Sequence, residues 1–391
     1  APRMIYLDNN ASTKLDPIVL EAMAAASGLY ANPSSIHAEG RRARRAVEEA
    51  REDVARLAGC AAEEVFFTSG GTEANAMAIF GATESRPGRV VRSGAEHPSV
   101  REAVDRLGGS ITVDPDSSGR LDPSRVAAEA KEVDVRLVTV MTASNEYGAL
   151  FPVAEIVRAV RSSAPAVLLH TDAVQAAGRV PLAFGDWGID LMSLSAHKMH
   201  GPRGAGALVI RKGVRLAVRT AGGGQEKRLR AGTENTAAIA GFAAAARLAR
   251  ERLATDAPRM AALRDRLELG ILSNVPDARV LARDAPRLPN TSAIRFADAS
   301  AEMVLIRLDL EGIAASAGSA CSSGTLAPSP AVLSLGLGRT EAGEVVRFSL
   351  SRLTTQEEID VVVRALPEIV RSVRAASRPA SVGAAAEGAL R

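Results

Sequence analysis

Aromatic side chains make up only 3% of this chain, two of its 391 residues are cysteine, and five are lysine. Each shortage excludes something. Cys60 and Cys321 cannot build a disulfide framework, so a reducing, cytoplasmic compartment is expected. The formal charge is only +3, and no basic patch is interleaved with aromatics, which argues against direct nucleic-acid binding. No apolar run approaches the ~18–20 residues of a membrane span. The alanine-rich run 237–246 stops at Arg247, and the first residues show no basic stretch leading into an apolar one, so no secretory signal is expected. Lysine occurs only at Lys14, Lys131, Lys198, Lys212 and Lys227, the other basic residues being arginine. Part of this scarcity is a composition bias, but it singles out each lysine as a candidate place where arginine does not serve.

What is present is an ordinary soluble composition, 47% hydrophobic and 24% charged. The length exceeds one core, so two domains are expected. Short apolar runs at Val65–Thr68, Arg89–Ser93, Arg136–Met141, Val167–Thr171, Leu191–Ser195 and Gly206–Ile210 read as strands. Helical patterns such as Thr72–Phe80, Val100–Leu107 and Val153–Val160 separate most of them. This alternation predicts an α/β large domain with a mostly parallel sheet covered on both faces. A long helix from about Glu234 to Leu269, broken near Ala254–Pro258, is expected to lead into a smaller α+β domain. That domain has strands near Arg279–Leu281, Ser292–Arg295 and Val346–Leu350, and helices near Ala301–Leu310 and Thr355–Val373. The expected division is 14–254 for the large domain and 1–13 with 255–374 for the small one. The tail 375–391, mostly Ala, Gly, Ser and Pro, is expected to be disordered.

The polar clusters fall where strands end, the edge at which such sheets bind ligands. One strand ends in Asp172, followed by Gln175; another ends in Ser195, followed by His197 and Lys198. A lysine amine for a Schiff base and a carboxylate to hold a pyridine nitrogen protonated are what pyridoxal phosphate requires. Ser69-Gly70-Gly71-Thr72 follows a strand and opens a helix, which suits the cofactor phosphate. His97 suits a ring stacked on the cofactor, and Asn145 a contact to its ring oxygen; alone, each reads first as a helix-entry or strand-end residue, and the shared sheet edge reverses that. His197 and His200 are three apart, but no acid or cysteine completes a metal set, so no metal is expected. Cys321 lies in the small-residue run 317–325, where exposure favours a nucleophile. Cys60, beside Leu57, Ala58 and Ala61, reads as an inert filler. Arg347 interrupts an apolar strand and needs an anion, either a substrate carboxylate or a structural ion-pair partner.

Together these runs resemble the cysteine desulfurases of the class V aminotransferase family, most closely the NifS branch of the NifS/IscS group. The similarity extends from Tyr6-Leu7-Asp8-Asn9-Asn10-Ala11 to the helix after Thr354. It includes Asn32-Pro33-Ser34-Ser35-Ile36-His37, Glu96-His97-Pro98, Arg230-Ala231-Gly232-Thr233-Glu234-Asn235 and Gly318-Ser319-Ala320-Cys321. The resemblance implies the type I fold of pyridoxal-phosphate enzymes. It implies Lys198 as the Schiff-base lysine that also moves the Cα proton, Asp172 on the pyridinium nitrogen, and Gln175 and Asn145 on the ring oxygen. His97 would stack on the ring, and Gly71, Thr72, Ser195 and His197 would hold the phosphate. Thr233 would reach that phosphate from the other subunit of a homodimer. Arg347, with Asn32, would bind the carboxylate of L-cysteine. Cys321 would take the substrate sulfur as a persulfide and pass it to an acceptor such as an iron–sulfur scaffold protein. Ser144, Tyr147 and Ala327 depart from residues common in the family; Ala327 bears on partner docking more than on chemistry. A selenocysteine lyase, an aminotransferase and a non-catalytic binding platform are the alternatives. The Cys321 loop argues against a plain aminotransferase, and the intact site against a platform.

Overall fold

The computed structural model describes residues 4–85, 87–218, 220–317 and 328–377, and Cys321 and the tail from 378 onward lie outside them. A short strand near the start, β1 (Ile5–Tyr6), precedes the strands of a seven-stranded sheet. These are β2 (Val65–Thr68), β3 (Arg89–Ser93), β4 (Ser110–Val113), β5 (Val135–Thr139), β6 (Leu168–Asp172), β7 (Leu191–Ser195) and β8 (Gly206–Ile210). Their order is β2-β8-β7-β6-β5-β3-β4, with every pairing parallel except those of β8. Because β8 runs against both β2 and β7, those two strands point the same way. The carboxyl ends of β2, β5, β6 and β7 therefore share one edge. Strand β7 is buried at all five positions, Ser193 and Ser195 included, as strands of a sheet covered on both faces are.

The remaining strands are β9 (Ala278–Val280), β10 (Thr291–Phe296), β11 (Ile313–Ala314), β12 (Ser316–Ala317) and β13 (Val345–Ser349). An antiparallel sheet β12-β13-β10-β9 packs against helix Ala301–Leu310 and the helix Thr236–Asn274, both of which contact helix Gln356–Ser377, while β1 pairs with β11. This smaller unit has its own core of Leu267, Ile271, Ile294, Phe296, Phe348, Ile359 and Leu366, among others.

Three elements differ from the sequence reading. Ser110–Val113 forms an edge strand that its half-polar composition conceals. Ala375–Ser377 belong to the last helix rather than to a tail. The long helix runs unbroken over Thr236–Asn274, with Pro258 inside it. Proline there forfeits one helical hydrogen bond and crowds the preceding turn, but both halves are anchored. Phe242 and Ala243–Ala246 pack in the large core, and Met260, Leu263, Leu267 and Ile271 are buried on the other side of the proline. Among the described residues no helix is long and apolar enough to cross a membrane.

Candidate active site

The site is assembled where four strand ends converge. Strand β6 delivers Asp172, which is buried and held from two sides. Val174 N–H donates to its Oδ1 at 2.9 Å, and the Asn75 amide donates to its Oδ2 at 2.7 Å. Asn75 lies in the helix Gly71–Ser85 that the glycine loop opens. Its role is long-range, and no local signal in the sequence marks it.

The glycines of that loop are there because the backbone passes close to β8 and to the turn after β6. Thr68 and Ser195 both pair with Gly206 at the start of β8. A Cβ on Gly206 would lie 2.6 Å from the Gly70 backbone, and a Cβ on Gly71 would lie 2.8 Å from Val174 Cγ2. Gly70 itself has φ of +154°, a conformation that favours glycine. The result is a helix start, with Thr72 exposed on its first turn, set beside the buried Ser195 hydroxyl.

His97 caps the helix Pro98–Asp105, with Pro98 at its first position; its Nδ1 accepts from Ser99 N–H at 3.1 Å. The helix-entry reading of His97 therefore holds, and a capping histidine still has a ring face to offer. Burial lowers its pKa, with Asp172 opposing and the Lys198 charge assisting. His197 and Lys198 lie on one 3₁₀ turn, Ala196–Lys198. His197 Nδ1 meets Ser12 Oγ at 3.2 Å, whereas His200 Nδ1 meets the Lys14 carbonyl at 2.8 Å, so the two rings serve different neighbours. Burial first, then Lys198 and nearby arginines, brings His197 down to about 4, so it is neutral at pH 7.

Lys198 Nζ donates to the carbonyls of Asn10 at 2.5 Å and Ala11 at 2.9 Å. Burial, then the positive charges of Arg179 and Arg347, brings its pKa down to about 7, against the opposing pull of Asp172 and Asp8. A substantial share of the amine is thus uncharged near neutral pH, as a nucleophile or base must be. Asn10 is the hinge of the arrangement. Its side chain donates to the Asn145 carbonyl at 3.0 Å and to Thr291 Oγ1 at 2.9 Å, and its own carbonyl accepts from Gln175 Nε2 at 3.0 Å. Arg347 on β13 is buried, donating to the Asn145 carbonyl at 2.9 Å and to Asp8 Oδ1 at 2.8 Å. The structural ion pair thus exists, and it sits at the mouth of the same site.

Asn32 and Thr233 are not drawn in by these contacts. Asn32 is exposed, and its Oδ1 accepts from Ser34 N–H at 2.8 Å, closing its own turn. Thr233 is exposed. Burial pushes the Cys60 thiol up to about 12, with Glu64 adding to the effect, which leaves it unreactive.

Pyridoxal phosphate fits the residues present. Among the described residues, eight buried side-chain polar atoms have no hydrogen-bond partner, and five of them cluster here: Ser195 Oγ, Asn145 Oδ1, Arg347 Nε, Asn75 Oδ1 and Glu96 Oε2. An unpaired buried polar atom costs about 1–3 kcal/mol, so five drawn from the strand ends, the helix Gly71–Ser85 and β13 indicate a polar ligand. A half-turn of the Asn145 amide presents a donor in place of its oxygen.

The comparisons with known proteins agree. A family profile described as aminotransferase class-V matches residues 5–362. The chain is 42% identical to the cysteine desulfurase NifS of Azotobacter vinelandii, over 95% of this chain and 93% of that protein. It is 44% identical to a cysteine desulfurase of Cereibacter sphaeroides, over 95% and 97% of the two chains. A solved NifS-like protein superposes with a TM-score of 0.88 at 33% identity, covering 94% of this chain and all of the other (100%). The chain belongs to the aminotransferase class-V family and, within it, to the NifS-like cysteine desulfurases.

Proposed function

We propose that the protein is a cysteine desulfurase that converts L-cysteine to L-alanine and carries the sulfur on Cys321 as a persulfide. The convergence of a half-neutral Lys198, a doubly held Asp172 and unpaired polar atoms around them carries this reading. Bound pyridoxal phosphate would supply an aldehyde for amine capture and a ring that accepts negative charge. Asp172 would hold the ring nitrogen protonated. Gln175 and Asn145 would face the ring oxygen, and His97 the ring. Gly71, Thr72, Ser195 and His197 would hold the phosphate at the helix start.

Arg347 would take the substrate carboxylate through its planar fork, in exchange with Asp8, and Asn32 would assist it. The Lys198 amine would accept the Cα proton and return it. The Cys321 thiolate would then attack the substrate sulfur. An S–S bond forms, the substrate C–S bond breaks with its electron pair going to carbon, and protonation of that carbon gives alanine.

A homodimer is part of the proposal. Thr233, exposed in its own protomer, would serve the partner's phosphate site, and Tyr30 and Ile36, flanking Asn32, are exposed at 85% and 90% in the single chain. Apolar side chains so exposed are favourably covered by another chain. The acceptor would be a thiol or scaffold of the kind that builds iron–sulfur clusters, in the cytoplasm.

The test is release of sulfide and alanine from L-cysteine by the loaded enzyme with a thiol reductant, for wild type and Cys321→Ser. Equal yields of both products, lost in the variant while the cofactor absorption band persists, are expected. Products undiminished in the variant would remove Cys321 from the reaction and point to a selenocysteine-type lyase.

A further inference from the structure

Arg179 lies on the segment that follows Asp172, with 5% of its surface exposed. A buried arginine normally faces a carboxylate. Among the described residues, none lies within ion-pair distance of this one; its partners are all carbonyl oxygens. One terminal nitrogen donates to the Gln175 main-chain oxygen at 2.8 Å and to its side-chain Oε1 at 2.5 Å. The other donates to the Lys198 carbonyl at 3.2 Å and the Asn9 carbonyl at 3.4 Å. The fork thus grips three segments at once: the turn after β6, the lysine turn after β7, and the loop that follows β1.

We propose that Arg179 is a positioning residue for the cofactor site: its fork fixes which way the Gln175 amide faces, ties the Lys198 turn to the Asn9–Asn10 loop, and sets an uncompensated positive charge against the Lys198 amine. This rests on the reading of Lys198 as the cofactor lysine.

The amide argument follows from chemistry. A guanidinium only donates, so Gln175 must turn its oxygen toward Arg179 and its nitrogen away. That nitrogen donates to the Asn10 carbonyl at 3.0 Å, the same carbonyl that accepts from Lys198 Nζ at 2.5 Å. The amide donor and the amine therefore share one reference point, and Arg179 holds both sides of it. An aldehyde ring whose hydroxyl oxygen is ionised needs a donor there, not an amide oxygen.

The charge argument is electrostatic. The groups facing the Lys198 amine are Arg179 and Arg347, which disfavour its charged form, and Asp172 and Asp8, which favour it. The pKa values of the His97 and His197 rings are lowered first by burial, with the Lys198 charge adding to it. After burial itself, Arg179 is the largest of these influences on Lys198. Burial brings Arg179 down to about 10, with Arg347 assisting, which still leaves it charged at neutral pH.

The test uses the full chain freed of cofactor, with the rate of Lys198 acetylation by acetic anhydride followed against pH by peptide mass spectrometry. The wild-type midpoint is expected near 7. Arg179→Gln, which removes the charge, should raise it by on the order of one pH unit. Arg179→Lys, which keeps the charge but cannot fork, should leave the midpoint in place. Both variants should release pyridoxal phosphate faster than wild type, by roughly tenfold, as expected for loss of a charged hydrogen bond. A folded Arg179→Gln protein with the wild-type midpoint overturns the proposal. If that variant does not fold, Arg179→Lys decides, since a shifted midpoint or a wild-type release rate overturns it equally. The underlying reading fails separately, if borohydride reduction of the loaded wild type traps no cofactor on Lys198.

Discussion

The Asn75 amide donates to Asp172 Oδ2 at 2.7 Å and to Ser99 Oγ at 2.8 Å, from the helix whose first turn forms the glycine loop. One helix thus both presents its amino end to the site and aims the acid that would hold the ring nitrogen. Asn75→Ala would leave a buried carboxylate oxygen without its donor, at a cost of about 1–3 kcal/mol. We expect roughly tenfold weaker retention of pyridoxal phosphate, read by titrating the cofactor's visible absorbance into the stripped protein. Unchanged affinity would mean that Val174 N–H alone suffices to orient Asp172.

Arg347 presents a planar fork, with one arm on the Asn145 carbonyl and the other on Asp8. Lysine keeps the charge but not the fork. Arg347→Lys should raise the KM for L-cysteine by about 10–100-fold, the range set by a charged hydrogen bond of ~1.5–3 kcal/mol. The cofactor band should persist. Initial rates across a cysteine titration check this, and a normal KM would leave Arg347 with only its structural ion pair.

Much of this site could be read in the chain because largely apolar strands end in polar residues, and a covered parallel sheet aligns those ends. Asp172, Ser195 and Lys198 were legible for that reason. Asn10, Asn75 and Arg179 were not, because they act across the fold: Asn10 reaches Thr291, Asn75 reaches Asp172, and Arg179 reaches the Lys198 turn. Periodicity and strand-end punctuation carry no such pairing. For Arg347 the sequence left a substrate carboxylate and an ion pair equally open, and Asp8 supplies the second without excluding the first. Pro258 misleads as a breaker because the two cores hold both halves of its helix.

Glu96, next to His97, gives a pH signature. Its Oε1 accepts from Ser93 Oγ at 2.6 Å and Met141 N–H at 2.8 Å, while Oε2 is buried without a partner. Burial, only partly offset by those two bonds, raises its pKa to about 8. The native state therefore holds a proton that the unfolded chain releases near pH ~4.3. Stability from this group is fully present below that pH and is lost as pH rises towards about 8. Glu96→Gln keeps both bonds to Oε1 and cannot ionise. Its thermal midpoint in the cofactor-free protein should gain on wild type steadily from pH ~4.3 upward and level off above the native titration. A difference that stays constant across that window would mean that Glu96 titrates normally.

Gly206 is the point at which β2, β8 and the glycine loop crowd together. It pairs with both Thr68 and Ser195, and an added Cβ would lie 2.6 Å from Gly70 Cα and 2.8 Å from the Leu194 carbonyl. All of these are backbone atoms in a buried sheet, so none can swing aside as a side-chain tip would. Gly206→Ala must push the loop away from Ser195 or distort β8, and overpacking of this kind costs about 1–3 kcal/mol. Both routes move the helix start away from the Ser195 hydroxyl. The variant should therefore lose affinity for inorganic phosphate and for pyridoxal phosphate more than for pyridoxal, which lacks the group. Competition among the three on the stripped protein separates the cases. An equal loss for pyridoxal and its phosphate would place the damage at the ring, and would remove the glycine loop from the phosphate site.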